Sequence, residues 1–598
     1  MPTRSSPSSP SARASKVAKM DDSIDISQAV TASEPIPSYR PDARARRYDR
    51  QLRLWASAGQ RSLEAARIVL IGCDATGCQA LKNLVLPGIA HFTILSPRIT
   101  TAQDVTTNFF LHPDSIGQPI AQEATRLLKE LNPAVEGAAR VEDVAELIQS
   151  DPNFFLSFNI IILSNAEPAV ELALADMLWE ASATTGGPDV PLMCVRNSGF
   201  IGRIEIQVRE HCVVDTHPET THTLRIDEPF PALEKYARGM DLAAMDSLEH
   251  SHIPWVLLLV RAVSIWKEQH GGALPDGDSD EEKAEFKKLL ISERSKADEE
   301  NFEEALAKAF LAWNKSEVPS DTRKLLEDPS VVNVSTSSKN LHLLLHTLLK
   351  YTSTPPHLPP TSPALPDLHS STTAYIALQN LYKAQYQEDL ARFKELLASV
   401  LEGLGLPPDA IPDEEVEGFV KNTGGVAIVK GRPLRESKEA KGLLAEAIKE
   451  QFSETFLTPL AGPMHLALLA AERFYSAHKR WPGTKELSDM AEDQREMEET
   501  VKGIVSPLVE GFEELDDGYV ESITEVYVKP PFSGIHRSRR VLTPRRVRGG
   551  FGCLPNTAAF LGGILGQEVL KLITRQYQTL DNTVIVDLVK STLDKFRF

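Results

Sequence analysis

From residue 67 onward, short apolar runs bounded by polar turns alternate with segments of helical period. Residues 67–71 (Arg-Ile-Val-Leu-Ile), 91–95, 159–163 and 192–195 are runs of strand length, separated by helical patterns at 78–86, 121–131 and 169–183. Strands alternating with helices predict a doubly wound, largely parallel α/β sheet, a Rossmann-like arrangement. Residues around 202–209 read as an extension of that sheet. From about residue 229 the period changes to 3.6 over longer segments (254–269, 299–313, 341–349, 375–401 and 464–478). After about residue 507 strand patterning returns, with a helix at 557–573 and a strand at 582–587. These last segments are too short to build a core of their own, so the pattern reads as one α/β domain interrupted by a mainly helical insertion. The expected parts are a tail over 1–40, a first α/β part over 41–215, the insertion over 216–506 and a second α/β part over 507–598. The tail is rich in Ser and Pro and too polar to bury a core, so it is expected to be disordered. The proline-rich stretch 354–366 and the acidic run 276–282 read as solvated linkers. Ser251 is expected to cap the helix that opens at Pro254.

Composition narrows the function. The 598 residues carry a net charge of −19, which repels phosphate backbones and anionic lipid, so neither a nucleic-acid nor a membrane partner is expected. No apolar run is long enough to cross a bilayer. The 5 cysteines (Cys73, Cys78, Cys194, Cys212, Cys553) are scattered and odd in number, which suits a reducing compartment such as cytoplasm or nucleus. No C-x-x-C pair exists, so the spacing offers no zinc clamp and no metal site is expected. A basic stretch over 529–552, with His536, Arg537, Arg539, Arg540, Arg545, Arg546 and Arg548, reads as a disordered surface loop, with nuclear import as the other reading.

The chemistry concentrates at the first strand-loop-helix. Ile68-Val69-Leu70-Ile71 runs into Gly72-Cys73-Asp74-Ala75-Thr76-Gly77 and then into a helix, the context in which G-x-G-x-x-G holds phosphate on backbone N–H groups. Here Asp74 stands at the second glycine position. Its carboxylate blocks the approach of a phosphate and repels it at the helix end that would otherwise attract it. The loop keeps its fold signal and loses its ligand signal.

Upstream lies an arginine-rich arm, Tyr48-Asp49-Arg50-Gln51-Leu52-Arg53-Leu54-Trp55. With the degenerate loop, and with Leu84-Val85-Leu86-Pro87-Gly88-Ile89, Asn108-Phe109-Phe110-Leu111, His250-Ser251-His252-Ile253-Pro254-Trp255, Glu300-Asn301-Phe302-Glu303-Glu304-Ala305, Tyr375-Ile376-Ala377-Leu378-Gln379-Asn380 and Ala558-Ala559-Phe560-Leu561-Gly562-Gly563 in order, it resembles the ubiquitin-like-protein activating enzymes, and among them the regulatory subunits of neddylation-activating heterodimers. The resemblance runs from Tyr48 to the C-terminus and departs at the basic stretch.

The resemblance implies a non-catalytic subunit. The groups an adenylating relative uses around ATP and magnesium are replaced: the ribose acid by Ser96, a second acid by Arg98, a phosphate-binding arginine by Thr107 and a lysine by the Ile120-Ala121-Gln122 segment. The metal-binding aspartate after the 159–163 strand is missing, with Glu167 near enough to leave an alternative contact open. No cysteine lies between Cys212 and Cys553, so the insertion has no thiolate nucleophile for a thioester. What remains is Arg50, which by resemblance reaches the nucleotide phosphates of a partner subunit in trans, where a permanently charged guanidinium stabilises shifting phosphate charge. Arg53, three residues on, is expected near the same face; Tyr48, Leu54 and Trp55 are interface candidates that anchor the arm.

The implied partners are the catalytic subunit that holds ATP and magnesium, the neddylation modifier and, transiently, its conjugating enzyme, upstream of cullin modification. This chain is expected to bind no cofactor itself. Rival readings are an autonomous adenylating enzyme, which Asp74 opposes, and the small subunit of the sumoylation heterodimer, which the long insertion opposes. A nicotinamide dehydrogenase is opposed by the lost glycine and ribose acid. His250 and His252 are not expected to share a metal, since their spacing splits them between faces. Gly562, Gly563 and Gly566 read as close-packing positions.

Overall fold

The apolar runs pair as their pattern predicts. The computed structural model describes residues 42–184, 187–216, 224–439, 441–453, 462–483, 490–508, 553–588 and 590–598. The expected tail 1–40 and the basic stretch 529–552 lie outside them. In chain order the α/β part comprises α1 (Ala43–Glu64), β1 (Arg67–Ile71), α2 (Ala75–Val85), β2 (His91–Leu95), α3 (Ala102–Thr107), α4 (Ile120–Lys129), β3 (Glu136–Arg140), α5 (Val144–Ser150), α6 (Pro152–Leu156), β4 (Ile160–Ser164), α7 (Pro168–Ala183), β5 (Leu192–Ser198), β6 (Ile201–Gln207) and β7 (Glu210–Val214). Then follow α8 (Pro231–Gly239), α9 (Ser247–Ser251), α10 (Trp255–Gln269), α11 (Asp280–Ser292), α12 (Glu300–Ala307), α13 (Ser320–Leu326), α14 (Pro329–Val332), α15 (Asn340–Thr352), α16 (Thr372–Leu404), α17 (Asp413–Lys421) and β8 (Val426–Lys430). The chain ends with α18 (Gly442–Ser453), α19 (Gly462–His478), α20 (Met490–Val505), α21 (Pro555–Thr574), β9 (Thr583–Asp587) and β10 (Thr592–Phe596).

The sheet has 8 strands in the order β10-β9-β6-β5-β4-β1-β2-β3. From β5 to β3 the neighbours are parallel; β6, β9 and β10 add antiparallel strands. The C-terminal strand therefore completes the sheet that the first part begins, with Ile204 opposite Val584. One face is covered by α2, α4 and α21, around Leu81, Leu84, Leu561 and Val569. The close crossing of α2 and α21 needs glycine: a Cβ on Gly562 would lie 2.6 Å from Gln79 Cβ, and one on Gly566 2.8 Å from Asn83 Cβ, whereas Gly563 faces open space. The other face holds Phe155, Phe158, Leu174 and Leu178. Near β6 and β9, α19 and α20 bury Leu466, Leu468, Met497 and Val501 against Ile201 and Ile585.

A buried charge cluster ties α19 to the sheet. Arg196 meets Glu171 at 2.6 Å and Glu472 at 2.6 Å, Arg203 meets Glu205 at 2.9 Å, and Lys438 reaches Glu205 at 2.5 Å and Glu171 at 2.9 Å. Arg203 also bonds Glu472. Buried charges persist only when paired in this way.

The chain enters and leaves its helical stretch through the antiparallel ribbon β7–β8. Two apolar cores lie beyond, one around Trp255, Trp266, Phe286 and Phe302, the other around Leu344, Leu348, Phe393 and Phe419. The 33-residue α16 serves both: Leu378 and Tyr382 belong to the first, Tyr386, Leu390, Phe393 and Leu397 to the second.

Several expectations need correction. Ser251 ends α9 instead of capping α10, because the Asp246 carboxylate caps α9 by accepting from Leu248 and Glu249, leaving Pro254 at the N-cap of α10. His250 is buried with Nδ1 2.6 Å from Glu299 Oε1, and its ring stacks on Phe302. The acidic run 276–282 is partly structural: Ser279 caps α11, and Asp280, Glu281 and Glu282 fill its first turn, where the helix dipole favours them. The proline-rich linker is pinned, since Leu358 and Thr361 are buried and Thr361 N–H donates to Asp389 at 2.7 Å. The segment 299–313 breaks into α12 and a short 3₁₀ turn at Ala309–Ala312.

Residues 51–598 form one compact unit. Of residues 1–50, the described ones lie at the start of α1. That helix is kinked at Trp55 and Ala56, the latter at φ 54°.

Candidate functional site

The degenerate loop closes on itself. Gly72 turns out of β1 at φ +83°, and a Cβ there would sit 2.3 Å from the Ser164 carbonyl oxygen. Asp74 then caps α2. Its Oδ1 accepts from the Gly77 N–H at 2.8 Å and from Ser164 Oγ at 2.7 Å, and its Oδ2 accepts from Asn165 Nδ2. Asn165 sits at φ 49°, a left-handed conformation that asparagine tolerates, and its Oδ1 accepts from the Asn197 N–H at 2.9 Å. Gly77 lets the helix press on β1, since a Cβ there would meet Leu70 Cδ1 at 2.6 Å. The carboxylate thus takes one of the donors at the helix N-terminus, the Gly77 N–H, that a bound phosphate would use.

The thiols beside it are packing groups. Cys73 and Cys78 are buried with their sulfurs 3.6 Å apart, and Asn108 Nδ2 donates to Cys78 Sγ at 3.3 Å. The neighbouring thiol of Cys78 and burial push the Cys73 thiol well up, away from a reactive thiolate. Cys553 lies 3.4 Å from Thr76 Oγ1, and burial raises it to about 11.

In the arm, Arg50 is exposed and Tyr48 buried. Arg53 is exposed and Leu54 half-exposed. Trp55 is buried in this chain's own core, its indole donating to Gln60 Oε1 at 3.1 Å while Gln576 Nε2 donates to its carbonyl at 2.9 Å. Its ring is thus held within this chain's own core. One exposed aromatic escaped the sequence reading: Phe109 is 84% exposed beside the buried Phe110. Both positions are phenylalanine, so residue type alone gave no signal of which faces outward.

Comparison with known proteins supplies the family. The ThiF family matches residues 48–598. The NEDD8-activating enzyme E1 regulatory subunit of Gallus gallus is 31% identical over 572 residues, covering 93% of this chain and 99% of that protein. The Nedd8-activating enzyme E1 regulatory subunit of Drosophila melanogaster is 32% identical, covering 93% and 98%. This chain belongs to the family of NEDD8-activating enzyme E1 regulatory subunits. A solved structure of E. coli MccB with AMPCPP and MccA is 16% identical at a TM-score of 0.24, covering 29% of this chain and 52% of that one.

In this regulatory-subunit family member, the residues expected from the sequence to stand at an adenylating relative's ligand positions have their own surroundings. Ser96 is buried, and Arg98 Nη2 donates to Asp104 Oδ1 at 2.7 Å, which joins Arg98 to the capping box of α3. Thr107 donates to backbone carbonyls of its own helix at 3.3 Å. Ile120 and Ala121 are buried at the start of α4 with Gln122 exposed beside them. Glu167 is exposed, and Tyr475, raised to about 12 by burial and by this carboxylate, hydrogen-bonds to it.

Proposed function

We propose that this chain is the complementing, non-catalytic subunit of a heterodimer, and that Arg50 completes the ATP site of the catalytic subunit in trans. The observation that carries this reading is the Asp74 carboxylate, held by Gly77, Ser164 and Asn165 where a phosphate would sit. A loop whose helix end is already capped by a carboxylate disfavours a nucleotide phosphate there, so ATP and magnesium are assigned to the partner. The names of the relatives support the partner's identity: a regulatory subunit of a NEDD8-activating enzyme implies a catalytic one. The complex would adenylate the C-terminus of the modifier, form a thioester on the partner's cysteine and pass the modifier to a conjugating enzyme, upstream of cullins. Exposed Arg50 carries the charge, while half-exposed Leu54 and exposed Phe109 supply apolar contacts to the partner.

The test is modifier-dependent ATP–pyrophosphate exchange with this chain alone, the catalytic partner alone, and both. Exchange is expected in the mixture and not from this chain alone. Arg50→Ala should lower exchange by the mixture roughly 100-fold or more, with co-elution of the two chains unchanged. Equal rates for wild type and Arg50→Ala would remove the finger; exchange by this chain alone would remove the whole reading.

A further inference from the structure

At the root of the helical stretch, far from the loop in sequence, three donor groups of different kinds converge. Glu210 and Cys212 stand two residues apart on β7, so both project from one face of the ribbon, and His342 comes from the first turn of α15. Glu210 Oε1 is 3.6 Å from Cys212 Sγ and 3.2 Å from His342 Nε2, and the three donor atoms all lie within 4.8 Å of one another. His342 is 7% exposed, and its Nε2 makes no well-aligned hydrogen bond despite being buried. A buried imidazole nitrogen that faces a carboxylate at 3.2 Å in poor alignment is placed to exchange that contact for a cation shared with the same oxygen.

We propose that Glu210, Cys212 and His342 bind one divalent zinc-like cation. A tetrahedral zinc with oxygen, nitrogen and sulfur ligands has O···N and O···S edges of about 3.3 Å and about 3.5 Å, which match the first two distances. Imidazole, thiolate and carboxylate together favour zinc over magnesium or calcium, which take oxygen. On binding, the Cys212 S–H bond breaks, a zinc–sulfur bond forms and the proton leaves to solvent. Thiolate and carboxylate then neutralise the ion, leaving the Lys339–Asp189 pair, 3.5 Å apart, balanced beside it. Lys339 is the competitor: its Nζ lies 3.1 Å from the same Glu210 oxygen, and also donates to the Glu210 carbonyl at 3.2 Å, where it can stay. The bound ion clips ribbon β7–β8 to α15. The two donors on β7 and the one on α15 are separated by more than a hundred positions in the chain, so no spacing rule exposes the site.

Chelator-treated full-length chain titrated with cobalt(II) is expected to take up one ion per chain. A near-ultraviolet thiolate-to-cobalt charge-transfer band and intense visible bands of tetrahedral cobalt should appear, and zinc should erase both. Cys212→Ser and His342→Ala should lose the charge-transfer band and bind roughly tenfold or more weakly, while Cys553→Ser keeps both. Lys339→Met should tighten binding, which a site made only of ion pairs would not do. In the wild type, zinc should slow alkylation of Cys212, a readout that does not depend on any variant folding. An absent band, a band undiminished in Cys212→Ser, or an unchanged alkylation rate overturns the site.

Discussion

At Asp74 a single side chain is both the block to nucleotide and a support for the helix it caps. Removing the carboxylate leaves the Gly77 N–H and Ser164 Oγ without their acceptor, while Asn165 Nδ2 keeps only Asn197 Oδ1. Asp74→Ala should therefore cost about 1–3 kcal/mol, read as faster amide exchange in the first turn of α2. Asp74→Gly should not bring ATP binding with it in calorimetry, because Ser96, Thr107 and the apolar start of α4 remain. ATP binding by Asp74→Gly alone would mean that the carboxylate is the sole obstacle. Asp74 was legible in the sequence because its position in the loop is fixed by the flanking glycines. Ser164 and Asn165 were not, because only the parallel pairing of β1 with β4 brings the end of β4 beside the loop. The surroundings of Trp55 were hidden for a similar reason: an aromatic in an arm motif gives no sign in the sequence that it packs against Gln60 and Gln576.

At the scale of elements, period and length sufficed wherever packing agreed with local preference. Strands β1 and β2 begin and end where their apolar runs do, and α10, α16 and α21 fall within a few residues of their patterns. β3 was missed because Glu-Gly-Ala-Ala-Arg has no strand-forming side chain; it is a strand through its pairing with β2. The docking of α19 carries a pH dependence. Burial pushes the His465 imidazole well below its ordinary value, helped by Arg203 and Lys438. Burial would raise the Glu472 carboxyl, but Arg203, Lys438 and Arg196 hold it well below the ordinary range. For both groups the unfolded state takes up a proton before the folded state does. Their stabilisation is present above the ordinary imidazole and carboxyl values and is lost as pH falls, first through His465 and then through Glu472. Hydrogen exchange in α19 should rise on acidification ahead of exchange in β1 and β4, and a pH-independent ratio would contradict this account.

At the scale of the whole molecule, the return to strand patterning after the helices was the decisive signal, since β9 pairs with β6 inside the first sheet. What the chain could not disclose was how the helical stretch divides into two cores around one element. α16 is about 50 Å long at ~1.5 Å per residue, and its apolar positions step from Tyr382 in one core to Tyr386 in the other without a break in the helix. The two cores therefore share one phase of one spiral. Adding a single alanine between Lys383 and Gln385 would turn everything downstream by about 100° and move it about 1.5 Å, so Tyr386, Leu390 and Phe393 would leave their core together. An insertion of that size should abolish soluble expression, while a full heptad, which nearly restores the phase, should be better tolerated. Length changes are then expected to be tolerated in the connecting segments and not in α16, which acts as the gauge against which any shortening or lengthening is measured.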